Sequence, residues 1–597
     1  MPSVANIWRT GIVAHVDDTI QHGGFLTETV RASDLFTRED LSEEQQLFGR
    51  TAAEFMRNEV LPREQELYEH DWDLTRRLMQ QAASLDLTRL EIPAAYGGLG
   101  LDKISAAFVG EQIAANPSFA GSLGAHTSIG TLPLVYFGNA EQKARYLPRL
   151  GSAELIGAYA LTEPHSGSDA RAARTTATLT PDGRHYVLNG QKAWITNGGF
   201  ADLFTIFAKV DGEKFTAFLV ERAMGVVSGR DERKLGLDGS STTPLLLDNV
   251  PVPVENVLGR IGEGHKVAFN ILNLGRVKLG TRNNTGARRA LDWAVAYAKQ
   301  RQQFGRAICE FGLIKQKLGE LAVRCWVGDA MVYRTLGDVD RALELVDRDD
   351  SDQVLKTIEA FAVECSINKV WTSESLGYAV DESLQVFGGN GYSREFPIER
   401  AYRDARITRI YEGTNEINRL IIPTRLLKLS PALFTREGGR RMLSASIGPA
   451  DATGPLVGER ILLLQAKRLS IAALGYAVDV LGEALREEQE ILGHAADMII
   501  EIYAIESALA RAEKLLARET SEGLPLPATI ARIYANDAAD RMAVSAKRLV
   551  AALAARHANV AVLADAASRL ASRPSIDTIG ARRAVADAVI EAGRYPF

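Results

Sequence analysis

The sequence predicts an α+β protein that is mostly α. It should have an N-terminal helical domain, a middle antiparallel β domain, a helical bundle domain and a C-terminal helical extension. Three observations carry this. Apolar residues recur at helical spacing from Asp40 to about Leu150 and again after Gly264. Between about Ala158 and Gly259 they give way to short β-branched and aromatic runs broken by turn signals. And 597 residues exceed what one ordinary core supports. The expected divisions are 1–39 (arm), 40–157 (helical), 158–260 (β), 261–430 (bundle) and 431–597 (extension).

Taken in order, residues 1–38 read as an irregular arm whose GGFL at 23–26 packs on the body. LSEEQQLFGRTAAEFMRNEVL opens with a Ser42-x-x-Gln45 capping box and continues with Leu47, Ala52, Phe55 and Val60 on a helical face. IPAAYGGLGLD punctuates the chain. TTATLT, HYVLNGQKAWITNG, LFTIFAKV, KFTAFLVER and TPLLLDNVPVP, separated by PDG, NGG and VDG, read as antiparallel strands. Leu291, Ala294, Val295 and Ala298 restore the helical rule, and Ile367, Val370 and Trp371 begin another such face. GGNGYSREFP breaks the pattern, a short helix follows around 413–428, and Pro431 with the Gly438–Arg441 stretch marks a linker. From about Val457 to Arg582 the chain is Ala- and Leu-rich, with Leu492, Ala496, Ile499 and Tyr503 on one face. ERILLLQAKRLSIAALGYAV at 459–478 reads as bundle core in preference to a membrane-surface helix.

The 69 basic and 75 acidic residues give a formal charge of −6, which recommends no nucleic-acid partner. Three cysteines with no CxxC pair exclude a disulfide scaffold, and no apolar run reaches the ~18–20 residues of a membrane span. The first residues do not read as a secretory signal, so an intracellular protein is expected. HExxH, GxSxG, GxxxxGK[ST] and GxGxxG are all missing, which argues against a metal site, a hydrolase elbow, a phosphate loop and a Rossmann domain. Three segments carry more polar and aromatic residues than turns need: YALTEPHSGSDA at 159–170, KAWITNGG at 192–199, and QVFGGNGYSREFPIERAYRDARITRIYEGTNEINRL at 385–420. The first offers hydroxyls and backbone donors, the second a flat indole beside a hydroxyl.

Through LTEPHSGSD, KAWITNGG, VPVENVLG, RQQFG, EFGLIKQKL, QVFGGNGY and RIYEGTNEI, in that order over residues 40–430, the chain resembles the acyl-CoA dehydrogenase family of flavoproteins. GAHTSIG at 124–130, EFGLI at 310–314 and the extension past 430 resemble its very-long-chain branch. The resemblance implies the acyl-CoA dehydrogenase fold, FAD as cofactor, and α,β-dehydrogenation of a long-chain acyl-CoA to a trans-2-enoyl-CoA in fatty-acid β-oxidation. It makes Glu412 of YEGT the α-proton base, with its own amide on the enolate oxygen. Tyr159, Leu161, Thr162, Trp194 and Thr196 match flavin-ring positions, and Ser168 matches one where cofactor and CoA meet. Arg301, Gln303, Phe304, Gln385, Gly388 and Gly389 match the cluster that holds pyrophosphate and adenosine from a neighbouring subunit. Thr414 and Glu416 match further FAD positions, although Glu416 stands where some members have Gln. Asn273, Arg276 and Gly413 match the substrate side. Asp238 departs from a basic or polar family residue near the CoA entrance. FAGSLGAHTSIG at 119–130 suits a deep acyl tunnel or close helix packing equally.

The implied partners are acyl-CoA, an electron-transfer flavoprotein as acceptor, a second copy in a homodimer, and a membrane surface for peripheral contact. The implied location is the cytoplasm, or the mitochondrial matrix in a eukaryote. Two alternatives share the motifs: an acyl-CoA oxidase that passes electrons to oxygen, and a non-catalytic assembly factor on the same fold. Retention of Glu412 favours a catalytic protein.

Overall fold

The computed structural model describes residues 23–348, 350–447, 454–518, 525–573 and 575–597. The first residues of the expected arm, and with them the reading of the N-terminus, lie outside that set.

The N-terminal helices start where side chains satisfy the free amides of their first turns. Glu43–Phe55 opens on the predicted box: Gln45 N donates to Ser42 Oγ at 3.2 Å and Ser42 N to Gln45 Oε1 at 3.0 Å. Asp71 caps Trp72–Ser84, Asp102 caps Lys103–Ile113 and Asn116 caps Pro117–Gly124. Phe55, Leu78 and Phe119 from this layer share one core with Phe204, Phe218 and Val250 of the sheet that follows.

That sheet comprises β1 (Gly157–Ala160), β2 (Thr176–Leu179), β3 (His185–Thr196), β4 (Leu203–Val210), β5 (Lys214–Glu221), β6 (Val227–Ser228), β7 (Thr242–Pro253) and β8 (Val257–Leu258). Its order is β6-β7-β3-β2-β4-β5-β8, with β1 also on β4. The expectation of a wholly antiparallel sheet needs correcting. β2–β3, β3–β7 and β4–β5 are antiparallel, but β1 and β2 both run parallel to β4. Tight turns such as PDG and VDG dictate direction only between the strands they join. β1 and β2 reach β4 across long connections, which no local turn constrains.

The bundle is built from Gly264–Gln300, Gly312–Glu344 and Ala362–Phe387, with Asn415–Leu429 behind them. The extension adds Val457–Leu481, Gln489–Leu516 and Leu526–Ala554. It is continuous with the bundle, because Leu291, Trp326 and Ile422 belong to the same apolar cluster as Leu463, Tyr503 and Ile533. By length and composition the helix beginning at Val457 would pass for a membrane span, yet 83% of that window is buried inside the protein, as core helices are. Glu506, fully buried, pairs with Lys467 at 2.6 Å and Arg334 at 2.9 Å and so joins three helices. The arm lies across this seam. Phe25 meets the edge of Tyr503 at 5.0 Å, Leu26 is fully buried, and Lys467 Nζ donates to Glu28 O at 2.6 Å.

Candidate active site

The loop Ile410–Thr414 enters the Asn415–Leu429 helix through two left-handed residues, Glu412 (φ 58°) and Gly413 (φ 80°). For a residue with a Cβ this conformation costs about 1–2 kcal/mol, so surrounding bonds must impose it. Arg276 Nε donates to Glu412 O at 3.1 Å, and Arg276 is itself oriented by Asn273 Oδ1 at 2.9 Å. Asn418 Nδ2 donates to Gly413 O at 2.8 Å and Thr414 O at 3.0 Å. Lys369 Nζ donates to Gly413 O at 2.7 Å and Asn415 Oδ1 at 2.6 Å. Thr414 Oγ1 caps the helix by accepting from Ile417 N at 3.3 Å. Thus Glu412, Gly413, Thr414, Asn273 and Arg276 stand together. Glu416, one turn on, is exposed.

The carboxylate of Glu412 is held differently from its backbone. Oε2 is buried and has no hydrogen-bond partner among the described residues. Gly275 of the long Gly264–Gln300 helix makes room for it: a Cβ there would lie 2.8 Å from Oε2. Burial pushes the Glu412 carboxyl up to about 7, against the opposing pull of Arg276, Lys369 and Arg282. Burial, helped by Arg276, pushes Lys369 down to about 7. A carboxylate with a free lone pair and a value near neutrality is suited to taking a proton.

The residues of the first two motifs converge on a second framework. Thr162 O accepts from Ala193 N at 2.9 Å, and Leu161 O accepts from Lys192 Nζ at 3.5 Å. Tyr159 is buried, its ring edge-on to Phe207 at 5.2 Å and its hydroxyl 3.4 Å from Ala268 O. Trp194 is 59% exposed on left-handed backbone (φ 62°), where β3 slips register against β7. Thr196 is half-buried beside it, and Ser168 lies exposed in its loop. A pair that motif position alone does not single out braces this framework. Lys192, fully buried, donates to Glu163 Oε1 at 2.7 Å and Phe207 O at 2.6 Å, and Glu163 also accepts from Thr175 Oγ1 at 2.5 Å. Glu163 stands in LTEPHSGSD and Lys192 in KAWITNGG, where a lysine inside a predicted strand is the available signal.

Arg301, Gln303 and Phe304 form a separate exposed cluster with Gln385, Gly388 and Gly389. Tyr297 stacks on Phe387 at 4.2 Å and accepts from Asn390 Nδ2 at 3.0 Å, which ties the two segments. Phe304 is 93% exposed, and nothing stands within 4 Å of a Cβ built on Gly388 or Gly389. Among the described residues no hydrogen bond connects this cluster to Glu412. Asp238, the departure near the expected CoA entrance, is neutralised by Arg403 at 3.0 Å. In the glycine-rich stretch, Gly124 lies against the Arg282 guanidinium and Gly130 against Gly157, so close packing consumes both.

Family signatures match most of the chain between residues 42 and 564. Acyl-CoA dehydrogenase N-terminal domain matches residues 42–154, the middle domain 158–250, and two C-terminal domain signatures 262–427 and 465–564. A "Probable acyl-CoA dehydrogenase" of Bacillus subtilis is 42% identical over 587 residues, covering 97% of this chain and 99% of the relative. The human very long-chain specific mitochondrial acyl-CoA dehydrogenase is 36% identical, over 73% of this chain and 69% of the relative. An acyl-CoA dehydrogenase of Bacillus anthracis complexed with FAD superposes with a TM-score of 0.93 at 40% identity, covering 97% of this chain and 100% of that one. Butyryl-CoA dehydrogenase of Megasphaera elsdenii aligns with 65% of this chain and 99% of its own at 34% identity and a TM-score of 0.59. With collinear signatures and relatives matched end to end, this chain belongs to the acyl-CoA dehydrogenase family of oxidoreductases.

Proposed function

We propose that Glu412 removes the α-proton of an acyl-CoA thioester to give a trans-2-enoyl-CoA, with FAD as cofactor and an electron-transfer flavoprotein as acceptor. The supporting observation is the Glu412 carboxylate: buried, unpaired at Oε2, and facing a glycine that leaves room at its edge. Arg276 holds the Glu412 carbonyl and Lys369 that of Gly413 while the carboxylate is left unbonded, so the base is placed without being spent on an ion pair.

The residues present fit FAD. Trp194 offers an exposed indole face beside Thr196, and the Lys192–Glu163 pair fixes the backbone of Leu161 and Thr162 alongside. Arg301, Gln303, Phe304, Gln385 and the open Gly388–Gly389 turn would hold the pyrophosphate and adenosine, from a second copy of the chain, by means of a guanidinium fork suited to phosphate. When bound, the flavin supplies the two-electron acceptor for the hydrogen leaving the β-carbon. This chain's own contribution is to orient the thioester over Glu412, present the Glu412 amide to the enolate oxygen, and exclude water around the carboxylate.

Absorbance during acyl-CoA titration tests the reading. Wild type should lose its yellow band on substrate addition. Glu412→Gln should stay yellow and unbleached, with turnover down by about 10²–10⁴-fold. Normal turnover in that variant refutes the base.

A further inference from the structure

Seven residues past Gly275, on the same face of the Gly264–Gln300 helix, stands Arg282. Its guanidinium lies against Gly124 of the Pro117–Gly124 helix, where a Cβ would overlap it. It makes no hydrogen bond or ion pair with any described residue; Tyr411 and the Glu412 carboxylate lie close enough to favour its charge, and Lys278 close enough to oppose it. Burial pulls its ionisation down, against the opposing pull of Tyr411 and Glu412. Arg282 lines a cavity of about 40 Å³ together with Glu91, Gly124, Ser128 and Lys278. Ser128 is only 6% exposed and its Oγ has no partner. Glu91 offers Arg282 no neutralisation, because it is already shared between Lys103 at 2.8 Å and Lys278. Two lysines and one glutamate leave a net positive charge, to which Arg282 adds another.

Arg282 is half-buried, with its guanidinium turned into the protein and bonded to no described side chain. Most of the remaining lining is apolar, from residues such as Leu87, Leu90, Val109, Leu123 and Leu132, so the cavity suits an apolar tail that ends in an anion at Arg282. The cavity has room for a carboxylate and little more. At about 1.5 Å per residue, Arg282 lies about 10 Å along the helix from the position that faces the Glu412 carboxylate, and its side chain leans back toward that end. We propose that Arg282 and Ser128 receive a carboxylate at the far end of the acyl chain, so that the preferred substrates are ω-carboxyl acyl-CoAs of short to medium length. This rests on Glu412 as the base, and it departs from the long-chain expectation.

The test compares flavin bleaching and kcat/KM of the purified holoenzyme with adipyl- and suberyl-CoA against hexanoyl-, octanoyl- and palmitoyl-CoA. A charge-assisted contact of this kind is expected to favour the diacid derivatives by about 10- to 100-fold. Arg282→Met should abolish that ratio while octanoyl-CoA still bleaches the flavin. Ser128→Ala should lower the ratio several-fold without affecting octanoyl-CoA. Equal turnover of both classes in wild type, meaning that water alone solvates the guanidinium, overturns the proposal, as does an unchanged ratio in Arg282→Met. Bleaching by octanoyl-CoA that disappears in Glu412→Gln upholds the base whatever happens at Arg282; failure of every acyl-CoA to bleach wild type overturns both.

Discussion

At Glu412 the surroundings oppose ionisation and the proposed chemistry requires it. Its carboxyl rises from an ordinary 4.5 to about 7 because burial outweighs Arg276, Lys369 and Arg282. Activity before substrate binds should therefore climb through a limb near pH 7 in kcat/KM, with the active form on the alkaline side. Stability should move the other way. Between 4.5 and 7 the folded state holds a proton that the unfolded chain has released, so stability falls as pH rises through that window. Glu412→Gln removes the effect: it should match wild type below the window and exceed it above, by up to about 3 kcal/mol at 1.36 kcal/mol per unit. Denaturation at pH 5 and pH 8 measures this, and an equal difference at both would contradict it. Lys369 contributes both geometry and charge. Lys369→Met deletes the bonds to Gly413 O and Asn415 Oδ1 and a nearby positive charge. It should cut kcat by about 10- to 100-fold and move the limb to higher pH. A slower enzyme with an unmoved limb would reduce Lys369 to scaffolding.

Among the elements, the Gly264–Gln300 helix does the most, and Gly275 is its telling position. An interior glycine costs a helix about 1 kcal/mol relative to alanine, yet here a Cβ would press on the Glu412 carboxylate, the mobile end of a side chain. Gly275→Ala should therefore keep or raise Tm while lowering kcat at least tenfold, since the Glu412 side chain and not the backbone must yield. Thermal melts and bleaching rates on one preparation check both halves. The same helix shows what a sequence discloses. Leu291, Ala294, Val295 and Ala298 are buried as their spacing predicts, and the Ser42–Gln45 box forms, because each depends on neighbours within a turn or two. The parallel pairing of β1 and β2 with β4 was hidden, as were the Lys192–Glu163 brace and the unpaired Arg282, because their partners or lack of them are settled by segments far away in the chain. Within the site, motif order placed Glu412, Arg276 and Asn273 in one neighbourhood. Lys369 escaped notice because a lysine between apolar helix residues resembles many that merely reach solvent.

Over the whole molecule, the extension that looked featureless in sequence reaches the Glu412 loop through charges. Asp497 of the Gln489–Leu516 helix accepts from Arg419 Nε at 2.8 Å. Arg419 clasps Glu374 with both terminal nitrogens, at 2.6 and 2.9 Å. Glu374 Oε1 accepts from Asn415 Nδ2 at 3.0 Å, and Asn415 Oδ1 in turn accepts from Lys369 Nζ, which bonds Gly413 O beside the base. A planar fork can hold two carboxylates at fixed angles where an ammonium cannot. Arg419→Met leaves Glu374 and Asp497 facing each other without a cation, so it should lower Tm by several degrees and kcat several-fold; Arg419→Lys should restore the first better than the second. Asp497→Asn alone should slow turnover modestly from some distance along the chain of bonds. In a cycle of Asp497→Asn with Lys369→Met, members of one network should couple by about 0.5–3 kcal/mol in kcat. Strict additivity would mean that the extension stabilises the bundle through the shared apolar core alone and leaves the position of Glu412 to its immediate neighbours.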